Sequence, residues 1–221
     1  GTTALGSGEY TYAEAALRDV GLVPGKDVKL LPIGDGTAQT VHALKTGQVD
    51  AYISEGLEFQ NMTAEDGMHF TDITPNYFLG IPGSCFVTTT AVLQDPTKRK
   101  EFIGLARAFT KAMVFGVGNP TATTAIVCAD LPQTCTNKGD TARQIAWATS
   151  EAVPVDPGVS IGGIDNAGWA EAAKVALESG QVTQSVDYQP IVNSPAAVAV
   201  RNDILDFNAQ QIEQTARVTR G

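Results

Sequence analysis

The chain has 221 residues, of which 43% are hydrophobic, and it carries a formal net charge of −9 with a pI of about 4.6. This length accommodates one large domain or two smaller lobes with an apolar core of ordinary size. The negative charge argues against nucleic acid and against an anionic membrane surface as partners. No apolar run approaches the roughly 18 residues that a membrane-spanning helix needs.

The first quarter of the chain alternates short apolar runs with helical patterns. Strands are predicted at residues 2–5, 28–33 and 49–54, and helices between them at residues 12–20 and 37–46. Glycines at positions 21 and 47 stand where helix C-terminal caps belong. This order predicts a β-α-β-α-β unit, which implies a parallel sheet with right-handed crossovers.

The remainder of the chain is predicted to be richer in helices. Residues 55–67 form a short helix or a loop, strands are expected at 68–74 and 85–92, and a connector lies between them. Asp95 and Pro96 are typical of the N-cap and first position of a long helix, which we expect to end at Asn119-Pro120. Further helices are predicted at residues 121–129, 141–153, 166–179 and 203–218.

Two glycine turns carry the candidate binding site. Gly6-Ser7-Gly8 lacks the third glycine of a dinucleotide fingerprint, because position 11 is Thr, and the sequence contains no phosphate-binding loop. Each turn, at Gly8 and at Gly36, places a helix N-terminus beyond a predicted strand, where unpaired N–H groups and hydroxyls face a ligand. The alternative is that Ser7, Glu9 or Asp35 merely caps its own helix.

Carboxylates near the predicted strand ends bear on the type of ligand. Glu9, Asp35, Asp50 and Glu55 could in principle supply a general acid and base, but no feature of the sequence fixes their separation. Acidic groups at helix starts repel a simple anion, so we expect a neutral or cationic ligand. No nucleophile elbow and no metal-ligand spacing occurs, so the sequence predicts no catalytic residue, metal or cofactor.

The sequence predicts different states for the three cysteines. Cys128 and Cys135 lie in one loop-like stretch and could close a small disulfide ring, which suits an exported protein; the alternative is two unpaired thiols. With no histidine nearby, this pair does not supply the four ligands of a zinc site. Cys85 is expected to be a buried strand residue.

Three segments resemble the extracytoplasmic solute-binding proteins of ABC importers, in the group that binds nitrate, sulfonates, taurine or thiamine pyrimidines. They are the Leu5-Gly6-Ser7-Gly8 turn with its helix and the following Gly21-Leu22-Val23-Pro24-Gly25-Lys26-Asp27-Val28, the run from Gly34 to Ala51, and the strand, Pro96 and long helix that reach Gly118-Asn119-Pro120. The resemblance spans about residues 1–125.

The resemblance implies a two-lobed α/β fold of the type II periplasmic binding protein class. Residues 1–78 would form the second lobe, 79–84 the hinge, and 85–221 the mostly helical remainder of the first lobe. The family's first lobe begins with a β-α-β segment that this sequence does not contain, so we expect a longer parent protein. The implied cleft residues are Ser7, Gly8, Glu9, Tyr10, Thr11, Asp35, Gly36, Thr37, Glu55 and Tyr77.

The function implied by the resemblance is the binding of a small organic solute in an interlobe cleft and its delivery to an ABC importer permease. The expected location is periplasmic or otherwise extracytoplasmic, with a lipid anchor possible on an upstream segment. Two alternatives stay open, a sensor domain of a receptor system and an enzyme of the same fold that acts on a small heterocycle. The cysteine-rich motif of the related pyrimidine synthases is absent, so we expect no enzyme activity of that kind.

Overall fold

A computed structural model describes all residues, 1–221, and the chain is mostly helical, with 59% of residues in helices, 2% in strands and no sheet. Two short 3-10 helices lie at Asn76–Gly80 and Pro132–Thr134. The α-helices in chain order are α1 (Gly8–Asp19), α2 (Ala38–Lys45), α3 (Gly56–Asp66), α4 (Thr90–Gln94), α5 (Pro96–Gly118), α6 (Pro120–Asp130), α7 (Lys138–Glu151), α8 (Asn166–Glu178), α9 (Gln189–Val192), α10 (Pro195–Leu205) and α11 (Ala209–Val218). None of these helices combines the length and the apolar character needed to cross a membrane.

The predicted α/β fold with two sheet-containing lobes is wrong. Of the first three predicted strands only single residues pair, since Thr2 forms isolated parallel bridges to Pro32 and to Ile53. Val28 of the second predicted strand forms an isolated bridge to Pro24 alone. The pairing does not extend because the backbone turns at Gly6 and Gly34, whose φ angles are 76° and 88°. A ladder of one residue does not make a sheet, so the expectation of a type II periplasmic binding protein fold fails with it.

The later predicted strands are also wrong. Residues 68–74 and 85–89 have no regular secondary structure, and the run of threonines that indicated a strand ends in a helix instead. Thr89 Oγ1 accepts a hydrogen bond from the Val92 N–H at 3.3 Å and thereby caps α4. Cys85, expected to be buried in a strand, is exposed.

The chain divides into two compact units. The first unit consists of Gly1–Leu79 and Ala170–Val186, and the second of Gly80–Trp169 and Asp187–Gly221. In the first unit Ile33, Ala43 and Val49 form a small buried cluster, against which partly buried hydrophobic side chains pack: Leu31, Leu44 and Tyr52. Burial of this apolar surface fixes the position of α2 beside the turn that precedes it.

The second unit is built around α5, which contacts α4, α6, α7, α10 and α11. As predicted, Asp95 caps α5, because its Oδ1 accepts hydrogen bonds from the N–H groups of Thr97 at 2.9 Å and Lys98 at 3.1 Å. The single helix predicted at residues 203–218 is wrong, since α10 ends at Leu205 and α11 begins at Ala209. Asn208 caps α11 through a hydrogen bond from the Gln211 N–H, which separates the two helices.

Candidate functional site

The first glycine turn is closed by hydrogen bonds among its own residues. Ser7 is the N-cap of α1, and its Oγ accepts a hydrogen bond from the Tyr10 N–H at 3.2 Å. The Thr3 hydroxyl lies 3.0 Å from both Ser7 Oγ and Glu9 Oε2. Capping therefore accounts for Ser7, which was the alternative left open by the sequence.

Glu9 remains ionised within this turn. Partial burial opposes its charge, but hydrogen bonds from Ser7, from its own backbone N–H and from Thr3 outweigh burial and hold the pKa of Glu9 below its ordinary value. Burial raises the pKa of the Tyr12 hydroxyl, and the charge of the Glu9 carboxylate raises it further. Glu9 is thus a fixed negative charge beside the start of α1.

The other predicted residues of α1 are engaged elsewhere. Thr11 is buried, donates its hydroxyl to the Ser7 carbonyl at 3.4 Å and accepts a hydrogen bond from the Gln181 side chain. The charged neighbours of the Tyr10 hydroxyl are Glu14 and Arg18 on α1 itself, and burial and Glu14 raise its pKa. Gly8 is the first residue of α1, with open space where a Cβ would stand.

The second glycine turn has a defined conformation. Gly34 and Gly36 have φ angles of 88° and 69°, which side chains rarely adopt. The Tyr52 hydroxyl donates to the Gly34 carbonyl at 2.7 Å, and the buried Thr40 hydroxyl donates to the Ile33 carbonyl at 2.8 Å. These two bonds hold the turn against the hydrophobic cluster of the first unit.

Two helices begin beside this turn without a side-chain cap. Thr37 is the N-cap residue of α2 and Glu55 that of α3, and neither side chain accepts a hydrogen bond from a backbone N–H of its helix. The Thr37 hydroxyl instead lies 3.3 Å from the Thr40 hydroxyl. Both residues and Asp35 are exposed. The first N–H groups of α2 and α3 are therefore left to solvent or to a ligand.

Glu58 joins the turn to α3. A Cβ added to Gly36 would lie 3.1 Å from Glu58 Cγ and 3.5 Å from Glu58 Cα, and the positive φ of Gly36 favours glycine at this position. The first turn of α3 therefore packs directly on the second glycine turn.

Three carboxyl groups act electrostatically on Glu58. Burial is the main cause that raises the pKa of Glu58, and the charges of Glu55, Asp35 and Glu9 raise it further, while its own backbone N–H opposes the rise only in part. Three of the carboxylates predicted from the sequence are thus brought together, with Glu58 at their centre. We call Glu9, Asp35, Glu55 and Glu58 the acidic cluster.

Polar atoms beside the acidic cluster lack partners. Glu58 Oε2 and Asn61 Oδ1 are buried and have no hydrogen-bond partner. Both residues lie on α3 and are separated by three positions, so they share one face of that helix. A buried acceptor without a donor is costly, so this face favours a donor that is not part of the chain.

Tyr52 borders the same group of acids. Burial is the main cause that raises the pKa of its hydroxyl, and the charges of Glu58 and Asp35 contribute to the rise. The Tyr52 ring contacts Phe59 with the centroids 5.5 Å apart, and Phe59 contacts Phe70 edge-on at 5.0 Å. An aromatic surface thus extends from the acidic cluster along α3.

Tyr77 belongs to a different group of side chains. Its ring packs edge-on against Phe78 at 4.5 Å between the centroids, Phe78 in turn contacts Tyr12, and Lys174 Nζ lies 5.4 Å from the Tyr77 ring centre. Burial and then Asp19 raise the pKa of the Tyr77 hydroxyl, with smaller contributions from Glu178 and Glu171. The charged groups around Tyr77 are therefore not those of the acidic cluster.

Sequence reasoning missed Glu58 and Asn61. The sequence pattern of residues 55–67 fits either a short helix or a loop, and the structure shows the helix α3 over Gly56–Asp66. A helical assignment would have placed Glu55, Glu58 and Asn61 at successive three-residue intervals on one face. That spacing was the available signal.

The predicted disulfide is confirmed in the second unit. Cys128 in α6 and Cys135, which follows the Pro132–Thr134 helix, are bonded, with their Cα atoms 5.1 Å apart. The bond closes a short loop between α6 and α7 and leaves Cys85 as the free cysteine. No group of three or more His, Cys, Asp or Glu side chains is arranged to hold a metal ion.

Comparisons with protein-family models, with curated proteins and with solved structures gave no match to this chain.

Proposed function

We propose that this protein binds a small organic solute, neutral or cationic, at the acidic cluster of its first unit, and that it does so without catalysing a reaction. The observation that carries this proposal is the Glu58 carboxyl group. Its Oε2 atom is buried without a hydrogen-bond partner, and burial and then the neighbouring carboxylates raise the pKa of the group. The group needs a hydrogen-bond donor or a positive charge that the chain does not provide.

A solute with an N–H donor fits this requirement. An ammonium or amidinium group beside Glu58 would pair with its carboxylate and offset the repulsion from Glu9, Asp35 and Glu55. Asn61 Oδ1, one helical turn away on α3, offers a second acceptor. The rings of Tyr52 and Phe59 give apolar surface for the carbon skeleton of the solute.

An anionic solute fits poorly in spite of the uncapped helix starts. The N–H groups at the start of α2 attract negative charge, but this attraction is worth only about 0.3–1 kcal/mol at an exposed helix end. Glu58 packs on Gly36 just before this helix start, and the charges of Glu55, Asp35 and Glu9 act on Glu58. The first unit as a whole contains thirteen acidic and five basic residues, a formal charge of −8.

The wider role that we propose is solute import. The resemblance of three sequence segments to solute-binding proteins supports a part in which the loaded protein delivers its solute to the permease of an ABC importer. The Cys128–Cys135 disulfide supports an oxidising compartment outside the cytoplasm, where such bonds persist.

A thermal-shift screen tests the proposal. The probes are amino acids, polyamines, pyrimidines, sulfonates and dicarboxylates, each also incubated with the protein and analysed for chemical change. We expect amines or other N–H donors to raise the Tm, anions to leave it unchanged, and every hit to be recovered unaltered. Turnover of a hit, or stabilisation by the anions alone, would overturn the proposal.

A further inference from the structure

Two helices of the first unit begin at the same end of neighbouring chain segments. The backbone runs in one direction around Thr2, Pro32 and Ile53, because Thr2 forms parallel bridges to the other two. Soon after Pro32 the helix α2 begins at Ala38, and soon after Ile53 the helix α3 begins at Gly56. The N-terminal ends of α2 and α3 therefore lie on the same side of the first unit, beside the acidic cluster.

The start of α2 offers hydrogen-bond donors. Its N-cap residue, Thr37, accepts no hydrogen bond from the helix backbone, so the N–H groups of Ala38 and Gln39 have no partner within the helix. Glu55, the N-cap residue of α3, likewise leaves the first N–H group of that helix, at Gly56, uncapped. N–H groups at a helix start attract a carboxylate because they form the positive end of the helix dipole.

Hydrogen-bond acceptors without partners lie close to these donors. Glu58 Oε2 and Asn61 Oδ1 are buried and unpartnered, and a Cβ added to Gly36 would lie 3.1 Å from Glu58 Cγ. Only Thr37 separates Gly36 from Ala38, a length of chain that spans at most about 8 Å. An α-amino acid reaches about 9 Å, since about 3 Å separates its ammonium nitrogen from its carboxylate oxygens and each end adds a hydrogen bond of about 2.9 Å. One such molecule is long enough to contact both groups.

A row of aromatic rings adjoins the Glu58 carboxyl group. Phe59 follows Glu58 in α3, and its ring centre lies 5.5 Å from that of Tyr52 and 5.0 Å from that of Phe70. Phe70 is 36% exposed, and Tyr52 and Phe59 are partly exposed. Ring surface that remains accessible beside a polar site favours an apolar or aromatic group on the solute.

We propose that the solute is an α-amino acid with an aromatic side chain, bound as its zwitterion. Its ammonium group contacts Glu58 and Asn61, its carboxylate accepts hydrogen bonds from the first N–H groups of α2, and its side chain packs on the row of rings. This inference rests on the proposed function, because the ammonium group is the N–H donor assigned there to Glu58. The zwitterion has no net charge, so its ammonium group offsets the repulsion that disfavours a simple anion beside the acidic cluster.

Isothermal titration calorimetry with matched probes tests each of the three contacts. The reference probe is L-phenylalanine; 2-phenylethylamine lacks the carboxylate, 3-phenylpropanoate lacks the ammonium group, and L-alanine lacks the ring. We expect L-phenylalanine to bind at least about tenfold more tightly than 2-phenylethylamine or L-alanine, and at least about 100-fold more tightly than 3-phenylpropanoate.

The same probes separate a failure of this inference from a failure of the proposed function. Binding of 2-phenylethylamine as tight as that of L-phenylalanine would overturn the zwitterion and leave the cation at Glu58 standing. Binding of 3-phenylpropanoate without binding of 2-phenylethylamine would overturn both. Equal affinity for L-alanine and L-phenylalanine would contradict the aromatic contact, and no binding of L-phenylalanine would overturn the inference whatever the other probes do.

The substitution Ala38→Pro tests where the carboxylate binds. It removes one N–H donor at the first position of α2, where helices accept proline, and the extended backbone of Thr37 accommodates a following proline. We expect the Kd for L-phenylalanine to rise about 3- to 10-fold and that for 2-phenylethylamine to change less than about twofold. The matched control is Ala209→Pro, the same change at the first position of α11 in the second unit, which should affect neither probe. An unchanged affinity of Ala38→Pro for L-phenylalanine would contradict the assignment of the carboxylate.

Discussion

The two units of this chain differ in charge, in core and in what they expose. The first carries a formal charge of −8 and has a small hydrophobic cluster beside a glycine turn. The second has eleven acidic and ten basic residues, a formal charge of −1, and packs its helices around α5. The acidic cluster and the helical packing around α5 thus lie in different units.

The average composition of the chain hides this difference between its two units. The net charge of −9 indicates an acidic protein, yet almost all of the excess acid lies in the first unit. There burial and then the charges of Glu55, Asp35 and Glu9 raise the pKa of Glu58, and the solute that we propose would offset this repulsion.

The largest expected effect concerns the small core of the first unit. Ile33→Ala removes a side chain that is 2% exposed and packs against Ala43 and Val49. We expect it to lower the free energy of unfolding of this unit by about 2–4 kcal/mol. Native-state hydrogen exchange, resolved by unit, measures the change.

The same substitution at an exposed position is the control. Ile73 is 77% exposed in the first unit, so Ile73→Ala should change stability by less than about 0.5 kcal/mol. Equal losses in the two variants would mean that the cluster around Ile33 is not the core.

The next effect concerns the disulfide of the second unit. Replacing Cys128 and Cys135 together by Ser releases an eight-residue loop, and chain entropy gives an expected loss of about 2.5 kcal/mol. Denaturation followed by the fluorescence of Trp147 in α7 reports on this unit. Cys85→Ser, the change at the free and exposed cysteine, should leave the transition in place.

The smallest expected effect concerns the pH dependence of the first unit. Because the folded-state pKa of Glu58 is raised above its ordinary value of 4.5, its contribution to stability is present at low pH and is lost as pH rises through the folded-state pKa. We therefore expect Glu58→Gln to raise the Tm at pH 7, on the order of 2 °C, and the gain to vanish near pH 4.

Glu9 affects the stability of the first unit in the opposite direction to Glu58 at pH 7 and serves as the comparison within the same cluster. Its pKa is lowered, so its contribution is present at neutral pH and is lost as pH falls through its folded-state pKa. Glu9→Gln should lower the Tm at pH 7. A stabilising Glu9→Gln or a destabilising Glu58→Gln at pH 7 would contradict the electrostatics of the acidic cluster.

Helices were more predictable from this sequence than strands. Asp95 and Pro96 predict the start of α5 because N-capping and the fixed φ of proline act within a single helical turn. The strands were inferred from short apolar runs, and a strand forms only when another segment pairs with it over several residues. Thr2 pairs with only one residue of each neighbouring segment, Pro32 and Ile53, so no sheet forms.

The candidate site was predictable in part. The turns at Gly6–Gly8 and Gly34–Gly36 and the carboxylates Glu9, Asp35 and Glu55 were named from the sequence, and the structure brings those carboxylates around Glu58. Tyr77 and Tyr10 were named with them but have other neighbours. Which side chains face one another depends on packing between distant segments, which single-sequence patterns do not encode.

The central claim is that Glu58 of the acidic cluster binds the positively charged or N–H donor group of a solute. Isothermal titration calorimetry at pH 7 with the strongest amine from the screen, applied to the wild type, to Glu58→Gln and to Glu151→Gln, tests it directly. Glu151 lies exposed in the second unit and controls for the loss of one negative charge. We predict that Glu58→Gln raises the Kd at least about tenfold while Glu151→Gln leaves it unchanged; equal affinity in all three proteins would contradict the claim.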